Sequence, residues 1–279
     1  ATFSISELEG RLRQTAFLVP GLTLRAMDPR AEGFSFQFDG GIAEYVEHIT
    51  PDGELIPLKQ ITETATFSET VPVLNEKSGT MESKEVVREC KVDIALRWGI
   101  GFDTQIRTFV NIIATPKGGS HLSGFEQGLT KSFRSAIEAA ARKYKATGLK
   151  IEKDDILTGL SAVVTVSFPE PQFEGQTKET LGTPAIKSIV SNAIGKFFDD
   201  FLAGKIRGSK AESEKLLERV VGEAKTRISA RTLKDTQRRK NALESSSLPS
   251  KLVDCRATAT DGSEMFIVEG DSALGTAKL

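Results

Sequence analysis

The chain has 279 residues, and its 39% hydrophobic and 27% charged content is ordinary for a soluble globular protein of two or three domains. Two cysteines, Cys90 and Cys255, argue against a disulfide scaffold and suit a reducing cytosol, and two histidines argue against a cysteine–histidine zinc site. The N-terminal segment lacks signal-peptide features and no apolar run approaches the roughly 18 residues of a membrane span, so we expect a cytoplasmic protein with no membrane partner.

The charge is unevenly distributed along the chain. The formal net charge is −1, but the segment 205–240 contains twelve Lys/Arg against five Asp/Glu and is therefore +7, which leaves −8 for the remainder. A basic element on a nearly neutral chain is a local electrostatic feature, and phosphate is one partner that suits it.

The N-terminal third combines helical and strand patterns. Ser4 with Glu7 forms a capping box ahead of apolar residues at helical spacing, which predicts a helix over 5–17. The segment 51–90 is charged, rich in threonine and weakly periodic, so it is compatible with strands and hairpins but defines no boundaries. Upstream of the segment 51–90, apolar residues alternate with polar ones and predict a half-buried strand through Phe34, Phe36 and Phe38.

The middle of the chain predicts a strand–helix–strand unit. Alternating residues at 92–98 indicate one strand, and a second follows near 105–113. A capping box at Ser123 precedes an apolar stripe that predicts a helix over 123–144. A further alternating strand at 162–168 completes the unit.

A glycine pair precedes this helix. Gly118-Gly119-Ser120 stands at a strand-to-helix junction, where helix N–H groups can hold an anion. It lacks the G-x-x-x-x-G-K-[ST] pattern of a P-loop, so we interpret it as a tight turn. His121 beside it is interpreted as a structural hydrogen-bonding group rather than a catalyst.

A long loop, Pro169 to Thr183, follows the third strand and contains Gln176-Thr177-Lys178. Structureless connections of this length inside a compact domain are uncommon and are usually functional or disordered. A lysine on a tethered loop can reach a phosphate as a mobile point charge, with a glutamine amide beside it. The alternative, which the local sequence alone favours, is a solvated surface lysine.

Two helices are predicted after the loop. Thr183 is the expected cap of the first, with Pro184 at its first position, and Gly204 ends it. A capping box at Ser209 begins the second, which continues to about Leu243 while its apolar stripe thins. Its basic last third either faces nucleic acid or is a solvated surface. The candidate DNA-facing residues are Arg227, Arg231, Lys234, Arg238, Arg239 and Lys240.

The short apolar run 265–268 predicts a strand that leads directly into Glu269-Gly270-Asp271. A carboxylate at the C-terminal end of a buried strand lies where open α/β sheets bind ligands, so Glu269 is a candidate to bind a divalent metal or move a proton. The alternative, favoured by spacing alone, is an acidic turn that caps the next helix through Asp271 or Ser272.

Seven short stretches are more informative together than singly: RLRQTAFL at 11–18, FDGGI at 38–42, GGSHLSGF at 118–125, QTK at 176–178, RRKNAL at 238–243, LPSKLVDC at 248–255 and VEGDSA at 268–273. In this order and spacing they resemble the B subunit of bacterial type II DNA topoisomerases, the family of gyrase B and topoisomerase IV B. The resemblance covers nearly the whole chain, and QTK and VEGDSA are its most specific parts.

The resemblance implies an α+β chain of three parts. Residues 1–50 look like the C-terminal end of a GHKL ATPase domain, 51–247 like a transducer domain, and 248–279 like the truncated start of a TOPRIM domain with its first strand. The family's transducer is similar to ribosomal protein S5 domain 2. It has a strand–helix–strand crossover, left-handed against the usual rule, and a long C-terminal helix.

The resemblance also implies an ATP-hydrolysing type II DNA topoisomerase, which passes one duplex through a transient double-strand break. Lys178, assisted by Gln176, matches the lysine that contacts the ATP γ-phosphate, and the long basic helix carries that signal toward the DNA gate. Glu269 matches the TOPRIM glutamate that binds Mg²⁺ and assists cleavage by the partner subunit's tyrosine. The implied partners are DNA, the A-type cleavage subunit and a second copy of the B-type protein, in an A2B2 heterotetramer.

Two departures from the family pattern leave gyrase and topoisomerase IV as alternatives: Leu274-Gly275 stands where Gly-Gly is frequent, and 60–90 is divergent. The family's ATPase glutamate, adenine-binding aspartate and TOPRIM Asp-x-Asp are not in this stretch, so we expect this polypeptide alone neither to hydrolyse ATP nor to cleave DNA. The competing hypotheses are another GHKL ATPase, of mismatch-repair or chaperone type, and a non-enzymatic DNA-binding module.

Overall fold

The computed structural model describes residues 4–28, 31–50, 53–74, 80–245, 264–269 and 273. The chain forms two compact units, Ala1–Ala224 and Lys225–Leu279, and the division falls within the last helix. None of the helices in the described ranges combines the length and the hydrophobicity that a membrane-spanning helix requires. The elements in chain order are α1 (Ile5–Leu18), β1 (Leu24–Asp28), β2 (Ala31–Phe36), α2 (Gly41–Ile49), β3 (Lys59–Leu74), β4 (Met81–Trp98), β5 (Gln105–Val110), β6 (Ile113–Ala114), α3 (Ser120–Ala139), α4 (Lys153–Leu157), β7 (Leu160–Ser167), α5 (Ala185–Leu202) and α6 (Ser209–Ser245).

A five-stranded sheet in the order β3-β4-β7-β5-β6 is the framework of the first unit. β3 and β4 form a long antiparallel hairpin, which occupies most of the segment 51–90 whose boundaries the sequence does not define. β7 pairs antiparallel with β4 and parallel with β5. The predicted strand–helix–strand unit is therefore confirmed as β5–α3–β7, since two parallel neighbours need a crossover between them.

Helices cover both faces of this sheet. Alternate β4 side chains from Cys90 to Trp98 are buried on one face, where the apolar sides of α3 and α5 and the first turns of α6 pack. On the other face, Phe17 of α1 and Tyr45 of α2 pack against Phe109 of β5. Full burial of a large apolar side chain contributes about 1.5–3 kcal/mol, so both layers stabilise the sheet that carries the loop 169–183.

The N-terminal elements largely follow the sequence prediction. α1 begins after Ser4, whose Oγ accepts a hydrogen bond from the Glu7 N–H at 3.3 Å. The predicted phenylalanine-rich strand is confirmed as β2, which pairs with β1. Phe38 lies beyond β2 and instead stacks on Phe17, with ring centroids 3.6 Å apart. The pattern did not predict β1 or α2.

The predicted start of the crossover helix is wrong by one turn. α3 begins at Ser120 and ends at Ala139, so Ser123 lies in the first turn instead of capping it. The chain turns earlier because Gly119 has φ +130°, a conformation that L side chains rarely adopt. A glycine that permits a sharp turn thus overrides a capping pattern four residues later.

The predicted caps of the last two helices are also wrong. α5 has Pro184 at its N-cap, and Thr183 is buried one residue earlier, where its Oγ1 accepts from the Gln172 N–H at 3.1 Å. Ser209 is the first residue of α6, and its Oγ donates to the Ile206 carbonyl at 2.8 Å, so it points back along the chain. Both hydroxyls satisfy loop backbone rather than helix N–H groups.

The C-terminal region separates into a helix and an exposed segment. α6 continues to Ser245, as its proline-free sequence predicts. Residues 264–269 are exposed and form no strand, so the strand predicted at 265–268 is wrong. A strand needs a hydrogen-bonded neighbour, and no strand in the described ranges pairs with these residues. The predicted caps Asp271 and Ser272 lie outside the described residues, as does 248–255.

Candidate functional site

The loop 169–183, which carries the candidate lysine, is fastened where it leaves β7. The Asn111 side chain donates to the Phe168 carbonyl at 2.8 Å and accepts from the Phe168 N–H at 3.0 Å. Asn111 stands in the tight turn after β5 with φ +46°, a conformation that asparagine tolerates better than most residues. The carbonyl of the next residue, Pro169, accepts a hydrogen bond from the buried Arg88 at 2.7 Å.

The other end of the loop is clamped at Leu181, which is buried. Its N–H donates to the Gly118 carbonyl at 3.0 Å, and its carbonyl accepts from the Ser120 N–H at 2.9 Å. Gly119 lies between these contacts, and a Cβ there would stand 2.3 Å from the Leu181 carbonyl oxygen. The Gly-Gly-Ser motif is a tight turn, as predicted, and it also holds the end of the loop.

The tip between these anchors is exposed at Gln176, Thr177 and Lys178. Lys178 has φ +56°, which is uncommon for a residue with a side chain, and its N–H donates to the Gly175 carbonyl at 3.1 Å. Its Nζ lies 5.9 Å from the centroid of the Phe173 ring, and no carboxylate in the described part of the chain pairs with it. The ammonium is therefore open to an anion from solvent.

The carboxylate next to this lysine is already engaged. Glu179 accepts from Lys117 Nζ at 2.7 Å and from Thr177 Oγ1 at 3.2 Å. The hydrogen bond from Lys117 is the larger cause that holds the pKa of Glu179 below its usual value, and the one from Thr177 adds to it. Because Lys117 offsets this negative charge, Glu179 competes weakly with an incoming anion for Lys178.

A buried hydrogen-bond chain adjoins the glycine turn in sequence. The Thr108 hydroxyl donates to the Thr115 carbonyl at 2.7 Å, so it accepts from the Thr115 hydroxyl at 2.8 Å. The Thr115 hydroxyl in turn accepts from His121 Nε2 at 3.0 Å. Burial lowers the pKa of His121 to about 4, so the ring is neutral at pH 7. His121 is a structural hydrogen-bonding group, as predicted.

The basic third of α6 lies in the second unit. Arg231, Lys234 and Arg238 are exposed and Arg227 is half-buried, while the side chains of Arg239 and Lys240 lie outside the described residues. The apolar stripe that is buried as far as Ala224 is no longer buried here, since Leu233 is 71% exposed. This part of the helix presents charge over a broad surface rather than at one position.

Glu269 is exposed and follows a segment without regular structure. Within the described ranges, no group of three or more His, Cys, Asp or Glu residues could hold a metal ion. Glu269 alone would supply one carboxylate, whereas Mg²⁺ prefers six ligands in octahedral geometry.

Sequence reasoning missed Arg88 and Asn111, although the sequence carries a signal for each. The inward-facing alternation of β4, traced from Trp98 back to Cys90, continues to Arg88, so a charged residue occupies a buried position that needs a partner. Asn111 opens a two-residue connection between two strands, where asparagine is a favoured turn residue.

Known proteins provide an independent comparison. The family model of DNA gyrase B matches residues 41–236. The DNA gyrase B protein of Myxococcus xanthus is 36% identical over 281 residues, which cover 99% of this chain and 31% of that protein. That of Halalkalibacterium halodurans is 36% identical over 282 residues, covering 99% and 40%. The chain thus spans less than half the length of these curated relatives.

A solved structure agrees with these relatives in fold. The 43K ATPase domain of Thermus thermophilus gyrase B, in complex with an aminocoumarin, aligns with a TM-score of 0.60 and 26% identity over 85% of this chain and 57% of that chain. The mixed α+β architecture is therefore shared. Because the family match spans more than half of its residues, this chain belongs to the DNA gyrase B family.

Proposed function

We propose that this chain is the nucleotide-sensing and coupling part of an ATP-dependent type II DNA topoisomerase, in which Lys178 contacts the ATP γ-phosphate with Gln176 beside it. The observation that carries the proposal is the exposed ammonium at the tip of a loop whose two ends are fastened by buried groups. A lysine is a compact point charge with three donors, which suits a terminal phosphate. Anchored ends restrict where that charge can go, while the exposed tip leaves it free to engage and to leave.

In this proposal residues 1–50 end a GHKL ATPase domain, 51–247 form the transducer and 248–279 begin a TOPRIM domain. Lys178 holds the loop toward the nucleotide while the γ-phosphate is present and lets it go after hydrolysis. Support for coupling comes from the core: Leu181 at the end of the loop and Leu216 of α6 belong to one buried cluster. A displacement of the loop therefore acts on the same packing that seats the start of α6.

We also propose that the basic part of α6 faces DNA and lines the path of a duplex. Its exposed cations and lack of a buried stripe support this role over that of a packed helix. The partners in the proposal are DNA, an A-type cleavage subunit and a second copy of the B-type protein, in an A2B2 assembly. The DNA-facing residues are Arg227, Arg231, Lys234, Arg238, Arg239 and Lys240.

Glu269 is proposed as a Mg²⁺ ligand that assists DNA cleavage. Mg²⁺ would supply Lewis-acid stabilisation of a phosphoryl oxygen there. Glu269 contributes one carboxylate, and the remaining ligands belong to residues outside the described ranges or to other parts of the enzyme. The chain by itself is accordingly proposed to be inactive, both as an ATPase and in DNA cleavage.

The decisive test is Lys178→Ala in the full-length, assembled topoisomerase. ATP turnover should fall by about 100-fold or more, the range seen when one preorganised donor to a developing oxyanion is removed. The matched control is Lys196→Ala, which removes an exposed lysine of α5 that pairs with Glu63, and which should leave turnover unchanged.

The same assay separates the competing hypotheses. If Lys178→Ala lowers DNA binding and leaves ATP turnover unchanged, the non-enzymatic DNA-binding module replaces our proposal. Glu269→Ala should abolish DNA cleavage while ATP turnover persists. ATP hydrolysis by the isolated 279-residue chain would contradict the proposal that it is inactive alone.

A further inference from the structure

One buried arginine joins the root of the Lys178 loop to the β3–β4 hairpin. The Arg88 side chain, on β4, is only 6% exposed, and one of its Nη atoms donates to the Pro169 carbonyl at 2.7 Å. Its other Nη pairs with the carboxylate of Glu170. On the third side, Nε lies 3.1 Å from a Glu69 carboxylate oxygen, as an ion pair rather than a linear hydrogen bond.

The loop root is also tied to the same hairpin by a second route. Gln172 donates from its side-chain amide to the other carboxylate oxygen of Glu69. Glu69 on β3 therefore contacts both Arg88 and Gln172, and the residues 169–172 are held at three points by one charged network. The network ends four residues before Gln176.

We infer that Arg88 is a positioning residue for Lys178, which fixes where the loop leaves the sheet and hence where the ammonium is delivered; this inference rests on the proposed function. Pro169 has no N–H, so its carbonyl is its only backbone group that can be fastened, and Arg88 is the donor that fastens it. The planar guanidinium donates to two acceptors and forms an ion pair with a third group at once, which a lysine ammonium in the same place cannot do with the same geometry.

This role differs from that of an ordinary core residue. Arg88 continues the inward alternation of β4, where the following residues Cys90, Val92 and Ile94 are apolar. An apolar side chain would fill such a position at no electrostatic cost, and a buried charge is weak support for stability. What the arginine adds is a fixed connection to the loop root.

The test uses the full-length, assembled enzyme. Arg88→Met should lower the ATP turnover number by about tenfold, because a shift of the order of 1 Å at a positioned group costs that much or more. Arg88→Lys should recover only part of the loss, since it restores the charge but not the fork. Lys196→Met is the matched control, because it breaks an ion pair to the same strand β3 at Glu63 without touching the loop.

Double substitution separates positioning from general damage to the fold. If Arg88 acts through Lys178, adding Arg88→Met to Lys178→Ala should cause less than about a further twofold loss, because the two residues share one function. Losses that multiply would overturn the inference. Arg88→Met leaves Glu69 without its ion pair, so the variant Arg88→Met/Glu69→Met, which removes both charges, is measured as well. Added to Lys178→Ala, it should likewise cause little further loss of turnover.

The two proposals can fail separately. If Lys178→Ala has no effect on turnover, the proposed function fails and Arg88 has nothing to position. If Lys178→Ala lowers ATP turnover severely, but Arg88→Met and Arg88→Met/Glu69→Met keep full turnover, only the positioning role fails.

Discussion

The loop 169–183 and the basic part of α6 present positive charge in opposite ways. Lys178 stands on a loop tied at one end by Asn111 and Arg88 and at the other by Leu181. The cations after Ala224 stand on a helix surface without a buried stripe. The first arrangement places one charge at a position, and the second spreads several charges over a surface.

The two regions should therefore respond to different changes. A positioned charge depends on geometry, so it should be sensitive to changes in its anchors even when no charge is altered. A spread of charges depends on their number and on screening, so it should respond gradually to each substitution and strongly to salt.

The largest effect is expected for Gly119→Ala. The new Cβ would stand 2.3 Å from the carbonyl oxygen of Leu181 and 2.4 Å from its nitrogen, at a φ of +130° that alanine rarely adopts. The clamp must open, and the first unit should lose more than about 3 kcal/mol of unfolding free energy, measured by urea denaturation.

Gly195→Ala is the control for that experiment. Gly195 lies in α5, where an added Cβ meets nothing within 4 Å, so alanine should stabilise the helix by up to about 1 kcal/mol. If Gly119→Ala were equally harmless, the glycine turn would not hold the loop, and the contrast between anchored and unanchored cations would fail.

The next effect is a pH dependence from His121, which follows the glycine turn. Its pKa is lowered from 6.5 to about 4 by burial, so the unfolded chain takes up a proton that the folded protein refuses between these values. Stability is fully present above about pH 6.5 and is lost as the pH falls toward 4, by about 3 kcal/mol for this one group.

Urea midpoints between about pH 7.5 and pH 4, a range that runs from above the unfolded pKa of His121 down to its folded pKa, measure this loss. His121→Gln should have a flatter profile, because glutamine keeps a donor for Thr115 and does not titrate. A profile as steep as that of the unsubstituted protein would show that carboxylates, not His121, set the acid limit.

The third effect concerns the basic helix and rests on its proposed role. In the full-length protein, Arg231→Gln and Lys234→Gln should each lower the slope of log affinity for duplex DNA against log salt by about 0.9, the value for one phosphate contact. The two losses should add, since independent charges do not require a shared geometry. Lys196→Gln should leave the slope unchanged. A loss confined to one residue would indicate a positioned cation instead.

Sequence reasoning succeeded where a pattern depends on one element. Alternation at 162–168 predicted β7, although both faces of this strand are largely buried. The spacing of Leu129 and Phe133 predicted the buried face of α3, because an amphipathic helix shows one side to the core. The Gln-Thr-Lys loop was likewise located between two such elements. Local periodicity was sufficient for these features.

Sequence reasoning failed where long-range contacts decide the outcome. The capping pattern at Ser123 is valid locally, but α3 begins earlier, at the glycine turn whose backbone pairs with the distant Leu181. At Ser209 the competing contact is local, because its hydroxyl donates to the Ile206 carbonyl. Arg88 meets Pro169 across 81 positions, a contact that no local pattern contains. The loop could therefore be predicted, but its anchors could not.

The smallest expected effect is Leu233→Ala, at a position of α6 that is 71% exposed. Removing an exposed leucine from a helix should change the unfolding free energy by less than about 0.5 kcal/mol. Leu216→Ala, in the same helix but fully buried, should cost about 2–5 kcal/mol because it leaves a cavity in the core. Urea denaturation of both variants measures the two losses of unfolding free energy, so that they can be compared directly. A cost above about 1 kcal/mol at Leu233, twice the usual limit for a surface position, would mean that the basic part of α6 is packed in solution. Its cations would then have to be treated as positioned charges like Lys178.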